Sequence, residues 1–296
     1  MSDSHTERSM HRSYLYASGA RPEIMGKAAR SPADAVILDL EDAVAPSAKK
    51  RALQEVCDFL SERDIGFRGP DLHVRVNRSA QGYDLDEVRR VAHRALSALR
   101  LPKVETAESV RAVGDLLDSL GPKAEGVLLY PTIESAVGLT KVVDIAVAHP
   151  RVARFALGAT DLMADLGAAS SHTLLYAQNR LVLETRAAGL PAPVDCVHTD
   201  VHDVEGLAEA ARNARALGFF GKSIIHPIQL EAVHNAFTPG DEEVQQARRV
   251  VQAYEEAEAR GQSAIVVDGE FIDLAVAQRS RAVLRILDRA GDVDDR

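Results

Sequence analysis

Two cysteines, Cys57 and Cys196, are all the thiol this 296-residue chain carries, and they fit neither a metal-binding spacing nor a redox motif. Two small residues buried in a reducing compartment are the simplest reading. Long hydrophobic runs are missing as well: none approaches the roughly 18 residues of a membrane span. The opening, MSDSHTERSMH, is polar and lacks the apolar stretch of a secretory signal, so a cytoplasmic protein with no membrane partner is expected. An excess of positive charge is absent too. With a formal net charge of −9 there is no basic surface to neutralise phosphates, and nucleic acid is not an expected partner. Finally, the first apolar run ends in YASGARPE, which has one glycine and no G-x-G-x-x-G spacing. That weakens an open dinucleotide-binding sheet.

What is present is an ordinary globular mixture, 46% hydrophobic and 27% charged, long enough to bury a sizeable core. Eight short apolar runs alternate with stretches of helical spacing: SYLYA (13–17), AVILDL (35–40), LHVRVN (72–77), ALRLPKV (98–104), GVLLYPTIE (126–134), RFALGATD (154–161), APVDCV (192–197) and KSIIH (222–226). Near-continuous apolar strands separated by helices indicate a parallel sheet covered on both faces. Eight such units predict an α/β fold, a (β/α)8 TIM barrel over residues 12–237. Residues 1–11 are expected to be disordered, 238–290 to form a helical extension that packs on a neighbouring subunit, and 291–296 to fray.

In such a barrel the functional groups gather where strands end and βα loops begin. AVILDLEDAVAP ends its strand in Asp39, Glu41 and Asp42. Like charges this close repel, and burying them unpaired is costly. The following strand ends carry Arg75 and Asn77, Lys103 and Glu105, then Glu134, Asp161 and His226. Each has a plain alternative. Asp161 fits a helix N-cap, Glu134 an exposed acid at a helix start, and Asp42 the start of the next helix. Lys103 and Glu105 could neutralise each other, and His226 before Pro227 fits a structural histidine. Taken together, an acidic rim holding Arg75 and Lys103 suits a hard divalent cation and an anionic substrate. Carboxylates without a supporting His or Cys cluster favour Mg²⁺, with Mn²⁺ as a substitute, over Zn²⁺.

RSYLYASGARPEIMGKA and ADAVILDLEDAVAPSAK, followed in order by VRVN, LPKVE, YPTIES, FALGATDLMADLG, ARALGFFGKSIIHP and VVDGEFID, cover nearly the whole chain. In this order they resemble the citrate lyase β-subunit-like proteins of the HpcH/HpaI aldolase and citrate lyase superfamily, with malyl-CoA and citramalyl-CoA lyases as relatives. The resemblance implies a barrel with Mg²⁺ held by Glu134 and Asp161, and Arg75 gripping the carboxylate or carbonyl of an α-keto acid. It implies that Asp39 and Glu41 stand behind the metal, held by bound water or nearby cations. Asp273 would be an acid/base supplied by a neighbouring subunit's arm, in a trimer or a hexamer, and Arg21 and Lys27 would lie near CoA phosphates. The expected chemistry is cleavage, or the reverse condensation, of a 3-hydroxy-carboxyacyl thioester into an α-keto acid and an acyl thioester. Three positions depart from the family pattern: Ala17-Ser18 before Gly19, Arg78 after Asn77, and Thr160 before Asp161. Alternatives are a citryl-carrier-protein lyase subunit, a CoA-independent aldolase, a thioesterase or malate-synthase-like activity, and a non-catalytic acyl-CoA-binding barrel.

Overall fold

The computed structural model describes residues 10–63 and 69–294. It divides into two compact units, Met1–His234 and Asn235–Arg296.

The first unit is built on parallel strands: β1 (Ser13–Ser18), β2 (Ala35–Asp39), β3 (Asp71–Arg75), then, after a small hairpin of β4 (Arg78–Ser79) and β5 (Gly82–Tyr83), β6 (Ala98–Leu101), β7 (Leu128–Ile133), β8 (Ala156–Leu157) and β9 (Lys222–Ile224). Seven of them form one curled sheet in the order β8-β7-β6-β3-β2-β1-β9. β2 is buried at every position, which explains its unbroken apolar run. Helices fill the intervals. Val204–Leu217, for example, starts where the Asp203 carboxylate accepts the Gly206 N–H at 2.9 Å.

An eighth strand was expected at 192–197, but no regular strand forms there. Two isolated bridges occur instead, Val194 to Ala156 of β8 and Asp195 to Lys222 of β9. Pro193 removes an N–H donor from this segment and Pro191 another just before it, which limits its pairing. Order also begins before residue 12, where the polar leader was expected to end. His11 is buried, with its Nε2 3.0 Å from the Asp71 carboxylate and its ring edge-on to Tyr14. Residues 1–9 of that leader lie outside the described residues.

Parallel register decides what meets inside the curl. Asp39 is paired with Arg75, and Arg75 with Arg100. One row of ionisable side chains therefore crosses β2, β3 and β6. Below it Tyr14, Ile37, Tyr130, Ala156 and Val194 belong to one buried cluster.

The second unit pairs the helix Asp241–Ala259 with the helix Leu274–Asp294, joined by an antiparallel hairpin of β10 (Ala264–Val267) and β11 (Glu270–Asp273). Its two turn residues, Asp268 and Gly269, both have positive φ, the geometry a two-residue hairpin turn requires. Val250, Tyr254, Ile272 and Ala277 form its core. The last helix runs through Asp294, beyond the point where fraying was expected to begin, and residues 295–296 lie outside the described residues.

Candidate active site

A cavity of about 390 Å³ opens where the strands end, and its lining includes Tyr16, Asp39, Arg75, Thr132, Glu134 and Asp161. Of the residues singled out from sequence, Asp39, Arg75, Glu134 and Asp161 thus share one wall-to-wall space. Asp42 and Thr160 line it as well.

Asp39 sits at the end of β2 with 1% of its surface exposed. Its two oxygens accept Arg75 Nε and Nη2, each at 2.7 Å, and the backbone N–H groups of Glu41 (2.9 Å) and Ala43 (3.0 Å). Such a two-pronged grip fixes the guanidinium plane. Arg75 then rests over the Tyr16 ring and turns Nη1 toward Asp42 at 3.1 Å and Glu41 Oε2 at 3.0 Å. The second of these is a charge contact only, because Glu41 Oε2 makes no hydrogen bond. Glu41 Oε1 accepts Lys103 Nζ at 2.7 Å. Burial lifts the Glu41 pKa despite Arg75 and Lys103 beside it.

Two expectations change here. Lys103 does not neutralise Glu105: it binds Glu41 and approaches Asp42, while Glu105 accepts Arg78 Nη2 at 3.1 Å and Ser135 Oγ at 2.9 Å. Lys103 itself has a positive φ of 52°, a backbone geometry uncommon for a residue that carries a side chain. Asp42 does not start a helix either; it lies in a turn before the 3-10 segment Pro46–Ala48 and meets Arg75.

Glu134, just past the end of β7, is 5% exposed, and its Oε2 has no hydrogen-bond partner. Burial first, then the neighbouring Glu41 and Asp161 charges, push its pKa up to about 8. It is not the exposed helix-start acid considered above; Ser135 caps the next helix. The carboxylate leans on Gly158, where an added Cβ would fall 2.3 Å from Glu134 Cγ. Asp161 lies in the exposed first turn of the helix Ala159–Asp165, whose N-cap position is Gly158, so capping does not account for the aspartate.

The remaining candidates fall elsewhere. Arg21 and Lys27 flank the exposed edge of the helix Pro22–Ala28, Arg21 bonding Glu23 at 2.9 Å, and neither lines the cavity. Asp273 closes β11 in the second unit, where its Oδ1 accepts the Val276 N–H at 3.0 Å. His226 caps the turn Pro227–Gln229 through its ring nitrogen, the structural role.

Sequence reading passed over Tyr16, Thr132 and Ser223 and took Cys196 only as a small buried residue; all four are in the cavity wall. Period-two alternation back from Glu134 was an available signal for Thr132, two residues before it. Burial pushes the Cys196 thiol up to about 12, so it offers no thiolate. Asp195 and Lys222, buried beside it, form an ion pair that the apolar runs concealed.

A cation fits this mouth. Glu134 is a buried carboxyl with an orphaned oxygen, and burial with two nearby carboxylates makes its charge costly until a positive ion arrives. No cluster of three or more His, Cys, Asp or Glu able to hold a metal occurs among the described residues. Two carboxylates completed by water and substrate oxygens is the pattern of Mg²⁺ sites.

A curled parallel α/β sheet with acids and a fixed arginine at its carboxyl ends defines an enzyme-like scaffold, its site built on strand ends. Residues 12–227 match the HpcH/HpaI aldolase/citrate lyase family, and the chain belongs to it. It is 36% identical over 271 residues to a (3S)-malyl-CoA thioesterase of Cereibacter sphaeroides, covering 88% of this chain and 89% of that one. It is 33% identical over 290 residues to the citrate lyase subunit beta of Escherichia coli, covering 95% and 94%. Among solved structures, CitE of Mycobacterium tuberculosis in complex with magnesium, acetoacetate and coenzyme A superposes with a TM-score of 0.78 at 30% identity, over 95% of this chain and 99% of that one.

Proposed function

We propose that the protein is a Mg²⁺-dependent carbon–carbon lyase acting on a 3-hydroxy-carboxyacyl thioester, a CoA ester of the malyl, citramalyl or citryl kind. The observation that carries this is the unpaired, buried Glu134 carboxyl facing one cavity with Asp161 and the immobilised Arg75. Relatives named for citrate lyase and for malyl-CoA hydrolysis, and a relative crystallised with magnesium and coenzyme A, support the same substrate class.

Glu134 and Asp161 would hold the ion, which when bound supplies Lewis-acid polarisation and a template for substrate oxygens. Asp39 holds Arg75 in a single orientation, and Arg75 would stabilise charge developing on the keto-acid side. Lys103 binds Glu41 through Oε1, and Glu41 would stand behind the residues that hold the ion. As the carbon–carbon bond breaks, its electron pair passes to the thioester enolate and the hydroxyl becomes the keto-acid carbonyl, its proton leaving to solvent at the mouth. Asp273 then protonates the enolate carbon, or removes that proton in the condensing direction. It reaches the site from a neighbouring subunit's arm in a trimer or hexamer, and Arg21 and Lys27 lie along the path of the CoA phosphates. Residues 194–195 act as the closing stave of an eight-stranded barrel, because they bridge to β8 on one side and β9 on the other. A cytoplasmic setting is part of this reading.

Purified protein with Mg²⁺, offered malyl-CoA, citramalyl-CoA and citryl-CoA, should release an α-keto acid from one of them and lose that activity in EDTA. Release of free CoA and the intact hydroxy acid would instead make it a thioesterase, the second reading favoured by the 36% relative. Silence on all three, with Mg²⁺ bound, would shift the substrate to a carrier-protein thioester.

A further inference from the structure

Beneath the cavity floor the inside of the sheet is not the apolar packing a parallel barrel normally holds. Arg100 on β6 and Arg154 just before β8 are 0% and 1% exposed. Neither makes an ion pair with a described residue: the groups acting on Arg100 are Tyr14, Tyr16, Tyr130 and the guanidinium of Arg154. Arg100 Cζ lies 4.4 Å from the Tyr14 ring centre and 4.7 Å from that of Tyr130. Its Nε lies 3.3 Å from His73 Nδ1, and burial together with Arg100 keeps His73 well below its ordinary pKa, so the imidazole is a neutral acceptor. Arg154 gives Nη1 to the Tyr14 hydroxyl at 3.1 Å.

The stacking engages the faces of the Arg100 guanidinium, not its edges. Nη1 and Nη2 of Arg100 and Nε of Arg154 are all buried with no partner. Three buried N–H-bearing atoms with no protein partner on two like charges are a double cost, lost hydrogen bonds and uncompensated charge. Water repairs the first only. An anion repairs both.

We propose that the interior of the sheet binds one small monovalent inorganic anion of chloride size between Arg100 and Arg154. The tyrosine layer separates this site from the cavity, Tyr16 standing in the cavity wall and Tyr14 and Tyr130 in the core beneath. Nothing in the lyase reading requires it. An anion that binds only the folded chain raises stability with its own concentration.

The test has two arms. At constant ionic strength, replacing gluconate by chloride should raise the melting temperature of wild-type protein by several degrees, and Arg100→Met should lose that response. A crystal grown in bromide should show an anomalous peak within hydrogen-bond reach of Arg100 and Arg154; this arm needs no variant to fold. A chloride response unchanged in Arg100→Met would be a general salt effect and would overturn the proposal. So would water alone at the bromide position, or a melting temperature indifferent to chloride. Either result leaves the lyase assay untouched, so the two readings fail separately.

Discussion

β2 begins and ends beside an aspartate gripped by an arginine, and the two grips differ in what surrounds them. At the start, Asp34 accepts the backbone N–H of Arg12 at 2.6 Å and its Nε and Nη2 at 3.0 Å each. His234 Nε2 stands 3.5 Å from the same carboxylate. Despite burial, Arg12 holds the Asp34 carboxyl below the usual carboxylate range. At the end, Asp39 and Arg75 repeat the pairing, but Glu41, Asp42, Glu134 and Asp161 crowd the same space with only Lys103 added. Charge is closed at one end and left open at the other. A balanced buried pair stabilises a fold without inviting a ligand, whereas an excess of carboxylates requires one. In parallel α/β barrels function gathers at the second kind of end.

The largest effect that could break this contrast is at the open end. Glu134→Ala or Asp161→Ala should abolish Mg²⁺-dependent cleavage while the circular dichroism spectrum stays wild-type. Glu134→Gln, which keeps the shape of the carboxyl but cannot ionise, should melt no lower than wild type. An unfolded Glu134→Gln protein would mean the carboxylate is structural, and the distinction between the two ends would be lost.

The closed end should respond in the opposite sense. Asp34→Asn removes the carboxylate charge that the buried Arg12 grips and should cost about 3–5 kcal/mol in a urea titration. Any protein still folded at low temperature should keep its metal affinity. The pH dependence follows from the direction of the shift. A depressed folded pKa gives stability that is present above the unfolded value, about 4, and lost as pH falls through the folded one. Between pH 5 and strong acid the wild type should therefore lose more stability than Asp34→Asn. Parallel curves would show that Asp34 contributes nothing through ionisation.

A finer probe of the open end is Gly158→Ala. The new methyl would fall 2.3 Å from Glu134 Cγ and push the carboxylate out of place. A misplacement of that kind should lower kcat by roughly 10²-fold, with weaker Mg²⁺ binding by calorimetry. Wild-type Mg²⁺ affinity in this variant would show that Glu134 need not stand where it does.

The strand runs, their order and most strand-end residues were legible in the sequence because burial on both faces leaves an unbroken apolar signature. β2 is the clearest case, every position buried. The segment 192–197 looked equally apolar, but Pro193 within it and Pro191 just before it limit backbone pairing, a signal that the apolar run masks. Charge partners were the least readable part. Lys103 and Glu105, two residues apart, bind different neighbours, Glu41 and Arg78, because partner choice depends on φ and on register across strands. Arg100 and Arg154 sat unnoticed inside apolar runs for the same reason: a hydrophobic neighbourhood in sequence says nothing about which inward position carries charge.

The smallest predicted effect concerns the strain that aims Lys103. Among the described residues only Lys103 and Asp268 combine a side chain with positive φ, and Asp268 is in a hairpin turn that favours it. A left-handed residue costs roughly 1–2 kcal/mol, while glycine at the same place costs about 0.5–1 kcal/mol in unfolded-state entropy. Lys103→Met keeps the strain and loses the ammonium; Lys103→Gly loses both. Both variants free Glu41 from one of its two cations, so both should lose a similar share of activity. The glycine variant should nevertheless be the more stable by about 0.5–1 kcal/mol. Equal stability would mean the turn is unstrained as built, and wild-type activity in either variant would reduce Lys103 to a bystander. The expected outcome, a more stable protein that works less well, would place stored backbone strain at the open end of β2 in the service of an ammonium the closed end does not need.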